Sequence, residues 1–295
     1  MTGRIIKGVG GFYYVDVEDA GVFECHAKVL FREQGIKPLV GDKVCIEQVA
    51  DENDLIGSIT EVLPRKNSLI RPEVANADGA MIVFAMRNPD ANLRLTDAFI
   101  IQMSMQEIPV TLLFNKKDLE DEDGIAAFLD AYENSGAKCL AVSAQDTGDT
   151  SMIYDMLPEG VTILAGPSGV GKSTLLNALC PDAEMETGEI SRKSRRGKHT
   201  TRHSELFKVK GKKDTYIMDT PGFTSFSVPD MDAESLKAFY PEFYPYEGKC
   251  KFAACSHTHE PGCAVKDAAA GGSISAVRYG NYCALYEELK NRKRY

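Results

Sequence analysis

Eight consecutive residues, Gly166-Pro167-Ser168-Gly169-Val170-Gly171-Lys172-Ser173, carry the densest chemistry in the chain. They match GxxxxGK(S/T) in full, follow a strand pattern, VTILA, and open a helical one, Lys172–Leu179, in which Thr174 comes next after the motif. Glycines at this spacing let successive backbone N–H groups curl around phosphate oxygens, and a helix start adds partial positive charge. Lys172 can reach the β- and γ-phosphates of a nucleoside triphosphate, and Ser173 can ligate Mg²⁺. A chance glycine-rich loop is the alternative; the full match in this context speaks against it.

Asp219-Thr220-Pro221-Gly222 closes a second strand pattern, TYIMD. An aspartate there can hold Mg²⁺, usually through water, and Gly222 can present its N–H to the γ-phosphate. Alone the tetrapeptide would be a simple turn; placed after a phosphate loop it is a switch. Asn115-Lys116-Lys117-Asp118 follows the apolar run VTLLF and has the form NKxD. The Asp118 carboxylate can accept from guanine N1–H and from the exocyclic amine together, a pair that adenine cannot offer. Asn115 suits guanine O6/N7 or the loop scaffold, and Lys116 can lay its stem over the ring. Ser143-Ala144, after CLAV, has the form of a last guanine contact, made by a backbone N–H. The nucleotide expected is therefore GTP or GDP, and an ATPase is the disfavoured reading.

A fourth constellation is of another kind. Cys250-x4-Cys255-x-His257-x5-Cys263 offers three thiolates and an imidazole, the number and softness that tetrahedral Zn²⁺ takes. With no position left open such a site is structural, and in a segment poor in apolar runs the metal would supply folding energy. On spacing, His259 is an alternative fourth ligand.

The elements that must position these groups fall into three parts. Residues 1–68 read as short strands separated by Gly10–Gly11, Gly41–Asp42 and Asp51–Asp54, with no amphipathic helix between them. A small closed barrel removes the edges; the oligonucleotide-binding barrel is the first choice, and composition alone does not separate it from an SH3-like one. Asn67–Asn76 is a polar, proline-containing joint. Within the second part, residues 69–229, strands (80–85, 109–114, 139–142, 161–165) alternate with helices (93–105, 124–135, 152–156, 172–179), which predicts a mostly parallel sheet covered on both faces. Leu206–Val209 and Thr215–Met218 are expected to pair antiparallel. Residues 230–295 read as a helical module around the Cys/His cluster, with a last helix near Tyr279–Lys290. The expected fold is therefore multidomain: barrel, α/β P-loop domain, zinc-binding helical module.

The order of the motifs is unusual. NKKD and Ser143-Ala144 precede the phosphate loop, whereas most GTPases place them after it. A circular permutation keeps every loop on one sheet edge and is feasible where the old termini lie close together. It also makes the segment after DTPG a junction with the C-terminal module.

The chain has 295 residues, 43% hydrophobic and 26% charged, with a net charge of −9. No apolar run spans a membrane and the opening MTGRIIKGVG has no apolar h-region, so a signal peptide is not expected. Eight cysteines, five of them scattered, fit a reducing cytoplasm better than a disulfide framework. Charge is uneven: ten Lys or Arg and one acid, Glu205, lie between Arg192 and Lys213. Such a run is a nucleic-acid patch or simply a solvated face.

With these motifs in this order, the chain resembles the bacterial small-ribosomal-subunit biogenesis GTPases, the circularly permuted GTPase A family, over essentially its whole length. The resemblance implies GTP hydrolysis stimulated by the 30S subunit, late in its maturation, with 16S rRNA as a partner and the barrel as an oligonucleotide-binding domain. A cytoplasmic monomer is expected. It identifies His199-Thr200-Thr201 with the family's His-Thr-Thr switch run. On that match His199 is the water-orienting residue and Thr201 the Mg²⁺ ligand, with Thr200 adjacent and not distinguished from it. His199 could also be one more basic residue of a charged loop. The family pattern favours His257 over His259 at the zinc. Phe223 stands where Ras-like enzymes have a glutamine, so slow intrinsic hydrolysis is expected. A GTP-binding RNA chaperone with incidental turnover is the second function.

Overall fold

The computed structural model describes residues 1–28, 31, 35–49, 55–70, 72–183, 205–220 and 228–292. The expected switch residues His199, Thr200 and Thr201, the basic stretch 192–202, and Pro221, Gly222 and Phe223 lie outside them. Two compact units separate: residues 1–80, 144–168 and 172–222, and residues 81–143, 169–171 and 223–295.

The first unit begins with β1 (Thr2–Val9), β2 (Phe12–Val17), β3 (Gly21–Ala27), β4 (Lys43–Gln48) and β5 (Ile56–Val62), closed in the order β1-β2-β3-β5-β4. Inward residues drive closure: Ile5, Val15, Phe23, Cys25, Val44, Ile46 and Ile59 are buried, with alternation cleanest in β3, β4 and β5. All pairings are antiparallel except β3 with β5. This is the oligonucleotide-binding order. Gly3 is required where β1 crosses β2, because a Cβ there would stand 2.6 Å from Val15 Cγ1 and 2.7 Å from the Asp16 carbonyl.

The polar joint holds a short hairpin, β6 (Ser68–Ile70) with β7 (Glu73–Ala75). Leu69 is buried between exposed neighbours, and Val74 and Ala75 are buried after exposed Glu73. Three residues are too short a stretch for alternation to stand out in the sequence.

The α/β elements are β8 (Ala77–Ala85), α1 (Leu93–Ser104), β9 (Val110–Asn115), α2 (Glu122–Tyr132), β10 (Lys138–Ala141), α3 (Thr147–Met156), β11 (Gly160–Ala165), α4 (Lys172–Leu179), β12 (Leu206–Lys208) and β13 (Thr215–Asp219). The strands order as β10-β9-β8-β11-β13-β12. β10/β9 and β11/β13 are parallel, and β12/β13 antiparallel. The first residues of β8 group with the first unit and the rest with the second. α2 and α3 start earlier than apolar periodicity indicates, because Asp121 and Asp146 cap them. Their carboxylates accept from the N–H of Gly124 at 2.8 Å and of Asp149 at 2.9 Å.

The second unit ends in two 3-10 segments, Ala233–Phe239 and Pro241–Tyr246, then α5 (Ala264–Ala270) and α6 (Ala276–Asn291). α6 begins ahead of the expected Tyr279 because Ser275 caps it. Tyr240, Phe243, Tyr282 and Leu285 form an apolar cluster that also takes Ala98 and Ile101 from α1. The segment therefore has an apolar core, continuous with α1, beside its Cys/His cluster. No helix among the described residues is long and apolar enough to cross a membrane.

Candidate functional site: phosphate loop, guanine loop and a Cys/His cluster

β11 is buried along all six residues and delivers the chain to the loop at Gly166. Gly166, Gly169 and Gly171 have φ of 148°, 81° and 100°, values closed to side chains, so the loop turns as phosphate wrapping demands. Lys172 opens α4 nearly buried, its ammonium donating to the Pro167 carbonyl at 2.6 Å. Burial lowers its pKa and Asp219 opposes that. Ser173 and Thr174 follow, half-buried. Asp219 ends β13 beside Leu164, and Thr220 fixes the strand end by donating to the Leu164 carbonyl through its N–H at 3.1 Å and its hydroxyl at 2.9 Å.

Burial raises the Asp219 carboxyl, against the pull of Lys172. Its Oδ1 is buried with no hydrogen-bond partner among the described residues. An orphaned carboxylate oxygen near a buried lysine is chemically suited to a hydrated Mg²⁺.

The guanine loop is built within the second unit. Asn115, 2% exposed, donates through Nδ2 to the Val170 carbonyl at 2.7 Å. Of the two roles open to it, the amide thus serves the loop scaffold. Lys116 takes left-handed backbone, φ 62°, and its ammonium donates to the Gly169 carbonyl at 2.9 Å and to the Asn88 carbonyl. Lys117 N–H binds the Val142 carbonyl at 3.1 Å, tying the loop to the end of β10. Asp118 sits exposed on a 3-10 turn, while Ser143 and Ala144 are nearly buried. NKKD therefore braces residues 169–171 from one side.

The ligand atoms of Cys250, Cys255, His257 and Cys263 lie within 4.8 Å of one another. Cys250 Sγ is 3.9 Å from Cys263 Sγ and 3.6 Å from His257 Nδ1, which is 3.4 Å from Cys263 Sγ. A tetrahedron with Zn–S bonds of about 2.3 Å has edges of about 3.8 Å, so this donor set fits zinc. Burial pushes the Cys255 thiol up to about 12, so a cation must displace its proton. His257 converges on the cluster; His259 instead meets Glu287 at 3.0 Å. The structure thus brings His257, and not His259, to the three cysteines.

Part of the basic run has internal partners. Lys208 and the Tyr216 hydroxyl both bind Asp16 of β2, at 2.6 and 2.7 Å, and Lys213 binds Glu18 at 2.7 Å. Lys7 meets Glu205 at 2.9 Å, and Arg4 clasps Asp214 at 2.9 and 3.2 Å. These charges dock the barrel on β12 and β13. Lys208 and Lys213 are thus engaged by acids of the barrel itself.

Two groups escaped the sequence reading. Arg278 of α6, 1% exposed, binds Asp97 of α1 at 2.8 Å and Glu242 at 2.8 Å. It lies 4.3 Å from the Tyr240 ring centroid. Asp97 also accepts from the hydroxyls of Tyr132 and Tyr240 at 2.9 and 3.1 Å. A lone acid inside the apolar stretch LTDAFII was the available signal. The Asn88 carbonyl, a backbone group, left none.

Comparison with known proteins places this arrangement. The family model described as RsgA GTPase matches residues 62–229, and that of the RsgA N-terminal domain residues 2–56. The chain is 50% identical over 305 aligned residues to the small ribosomal subunit biogenesis GTPase RsgA of Agathobacter rectalis, covering 100% of both. It is 43% identical over 293 residues to the protein of that name from Clostridium perfringens, covering 99% of each. Among solved structures, YjeQ from Thermotoga maritima superposes with a TM-score of 0.81 at 31% identity, covering 99% of each chain. YloQ, a circularly permuted GTPase, superposes with a TM-score of 0.78 at 34% identity, covering 100% of this chain and 96% of that one.

Proposed function

The chain belongs to the RsgA GTPase family, and from that premise we propose that it hydrolyses GTP to GDP and phosphate during late maturation of the small ribosomal subunit, stimulated by the 30S particle. One observation carries the nucleotide reading: the NKKD loop is hydrogen-bonded to the phosphate loop through Asn115 and Lys116 in spite of the permuted order. A loop that merely ended a strand would have no reason to grip a glycine-rich turn 53 and 55 residues away.

In this reading the Asp118 carboxylate accepts from guanine, Lys116 covers the ring, and Ser143-Ala144 supplies the N–H for the base oxygen. The N–H groups of 166–173 and the Lys172 ammonium hold the phosphates and offset the charge that develops as water attacks the γ-phosphate. Anionic phosphate beside Lys172 reverses the effect of burial and keeps the lysine protonated. Ser173 and Asp219, joined by Thr201 in the triphosphate state, would hold Mg²⁺, which supplies charge neutralisation at the β- and γ-oxygens. His199 orients the attacking water, a part that Phe223 cannot play. Cys250, Cys255, His257 and Cys263 hold a structural zinc. The barrel and the basic stretch 192–202 face 16S rRNA, and the protein works as a cytoplasmic monomer.

The test is turnover of GTP with and without purified 30S and 50S subunits. The reading expects slow release of phosphate alone, a large rise with 30S and none with 50S. Equal stimulation by both particles defeats it.

A further inference from the structure

We propose that residues 86–88 form a positioning clamp for guanine recognition, in which the Asn88 main-chain carbonyl holds the Lys116 ammonium in place before nucleotide arrives. The inference rests on reading NKKD as the guanine loop and names what sets that loop's shape.

Three consecutive residues each grip a different part of 115–120. Met86 N–H donates to the Asn115 carbonyl at 3.0 Å. Arg87 makes a two-pronged contact with Glu120, Nε to Oε2 at 2.8 Å and Nη2 to Oε1 at 2.9 Å. The Asn88 carbonyl accepts from Lys116 Nζ. The Glu120 carboxyl is held below the usual carboxylate range by its hydrogen bonds from Arg87. The clamp is thus a run of backbone and side-chain bonds in register with the loop.

Lys116 gains most from it. Its four-carbon stem is flexible, and one ammonium contact, on the Gly169 carbonyl, leaves the stem free to pivot. A second acceptor at Asn88 fixes both ends of the pivot, so the side-chain entropy is lost before the base binds. Asn88 can offer that carbonyl because its φ is 51°. Asparagine enters this left-handed region far more readily than a β-branched residue, and glycine enters it freely.

The experiment is calorimetric titration of GDP into full-length, zinc-loaded protein with Mg²⁺ present. Asn88→Val disfavours the required backbone and withdraws the carbonyl; Asn88→Gly keeps it. Asn88→Val is expected to weaken GDP about tenfold, the order of one charge-assisted hydrogen bond. Asn88→Gly should stay within about twofold, as only the side chain is lost. A clamp that works through Lys116 has a further signature. Asn88→Val added to Lys116→Met should weaken GDP no further than Lys116→Met alone, whereas a general structural role would add. Should Asn88→Val not fold, Arg87→Met, which frees Glu120, is judged by the same non-additivity. Full affinity in Asn88→Val, or full additivity with Lys116→Met, overturns the clamp. Asp118→Asn runs alongside: if it leaves base preference unchanged, the guanine-loop reading itself falls. If it shifts preference while Asn88→Val is silent, only the clamp falls.

Discussion

Removing the Arg278 guanidinium should destabilise the second unit more than any exposed charge change. Asp97, Glu242 and Arg278 are 0%, 8% and 1% exposed. Arg278→Met keeps most of the side chain's length and apolar stem but leaves two carboxylates without their cation. Asp97 retains two donors, the hydroxyls of Tyr132 and Tyr240. Glu242 loses both of its guanidinium contacts, at 2.8 and 3.3 Å. Breaking a buried pair from one side costs about 3–5 kcal/mol, most of it from the stranded charge. The assay is urea unfolding at pH 8 and pH 5, read by tyrosine fluorescence. Burial already raises the Asp97 carboxyl against Arg278, and without the arginine only the Tyr132 and Tyr240 hydrogen bonds still oppose that rise. A carboxyl with a raised folded pKa favours the folded state below its unfolded value and loses that as pH rises through the folded value. The gap between variant and wild type should therefore narrow at pH 5. Neutralising all three, with Asp97→Asn, Glu242→Gln and Arg278→Met together, should recover part of the loss. A penalty below about 1 kcal/mol, or one unchanged between the two pH values, would refute the picture of a dry, charge-balanced cluster.

Other expectations are more direct. Asp118→Asn should weaken GTP and favour a xanthosine nucleotide, because the amide donates where the base's donor must land; calorimetry with both bases checks it. One zinc should co-purify per chain by elemental analysis. It should be lost in Cys255→Ala, with GDP still bound, and kept in His259→Ala. His199→Ala should retain GTP affinity and 30S binding while losing most of the stimulated rate; normal turnover at saturating 30S would move the water-orienting role to a ribosomal group. Charge reversal at Arg195 and Arg196 should instead weaken 30S binding, increasingly as salt rises.

The motifs were legible because phosphate, guanine and zinc each constrain residue type and spacing over a few positions. Lys172, Asp118 and Cys255 are identifiable with no knowledge of what packs on them. The barrel was legible through alternation, and its strand order, with β3 beside β5, entered only with the fold. Charge was read less well. Lys208 and Lys213 look in sequence like part of a nucleic-acid patch, yet they pair with Asp16 and Glu18, partners 192 residues away in the first case. Asp97 was visibly out of place in an apolar helix, but its partners lie at 132, 240 and 278. No local pattern links such positions, since only the tertiary fold makes them neighbours.

The permuted order determines what the chemistry is wired to. In the usual order a chain runs from the phosphate loop through DxxG to NKxD in one pass. Here the chain leaves β13 at Asp219 and Thr220 and is next described at Val228, a member of the zinc module's apolar cluster. That same cluster takes Ala98 and Ile101 from α1, and Arg278 takes Asp97 from it. α1 begins at Leu93, four residues after Pro89, just beyond the clamp on Lys116. The module is thus joined by the chain to β13 and by its apolar core to α1. The permuted order thus makes the Cys/His module, rather than the NKKD loop, the next described segment after β13.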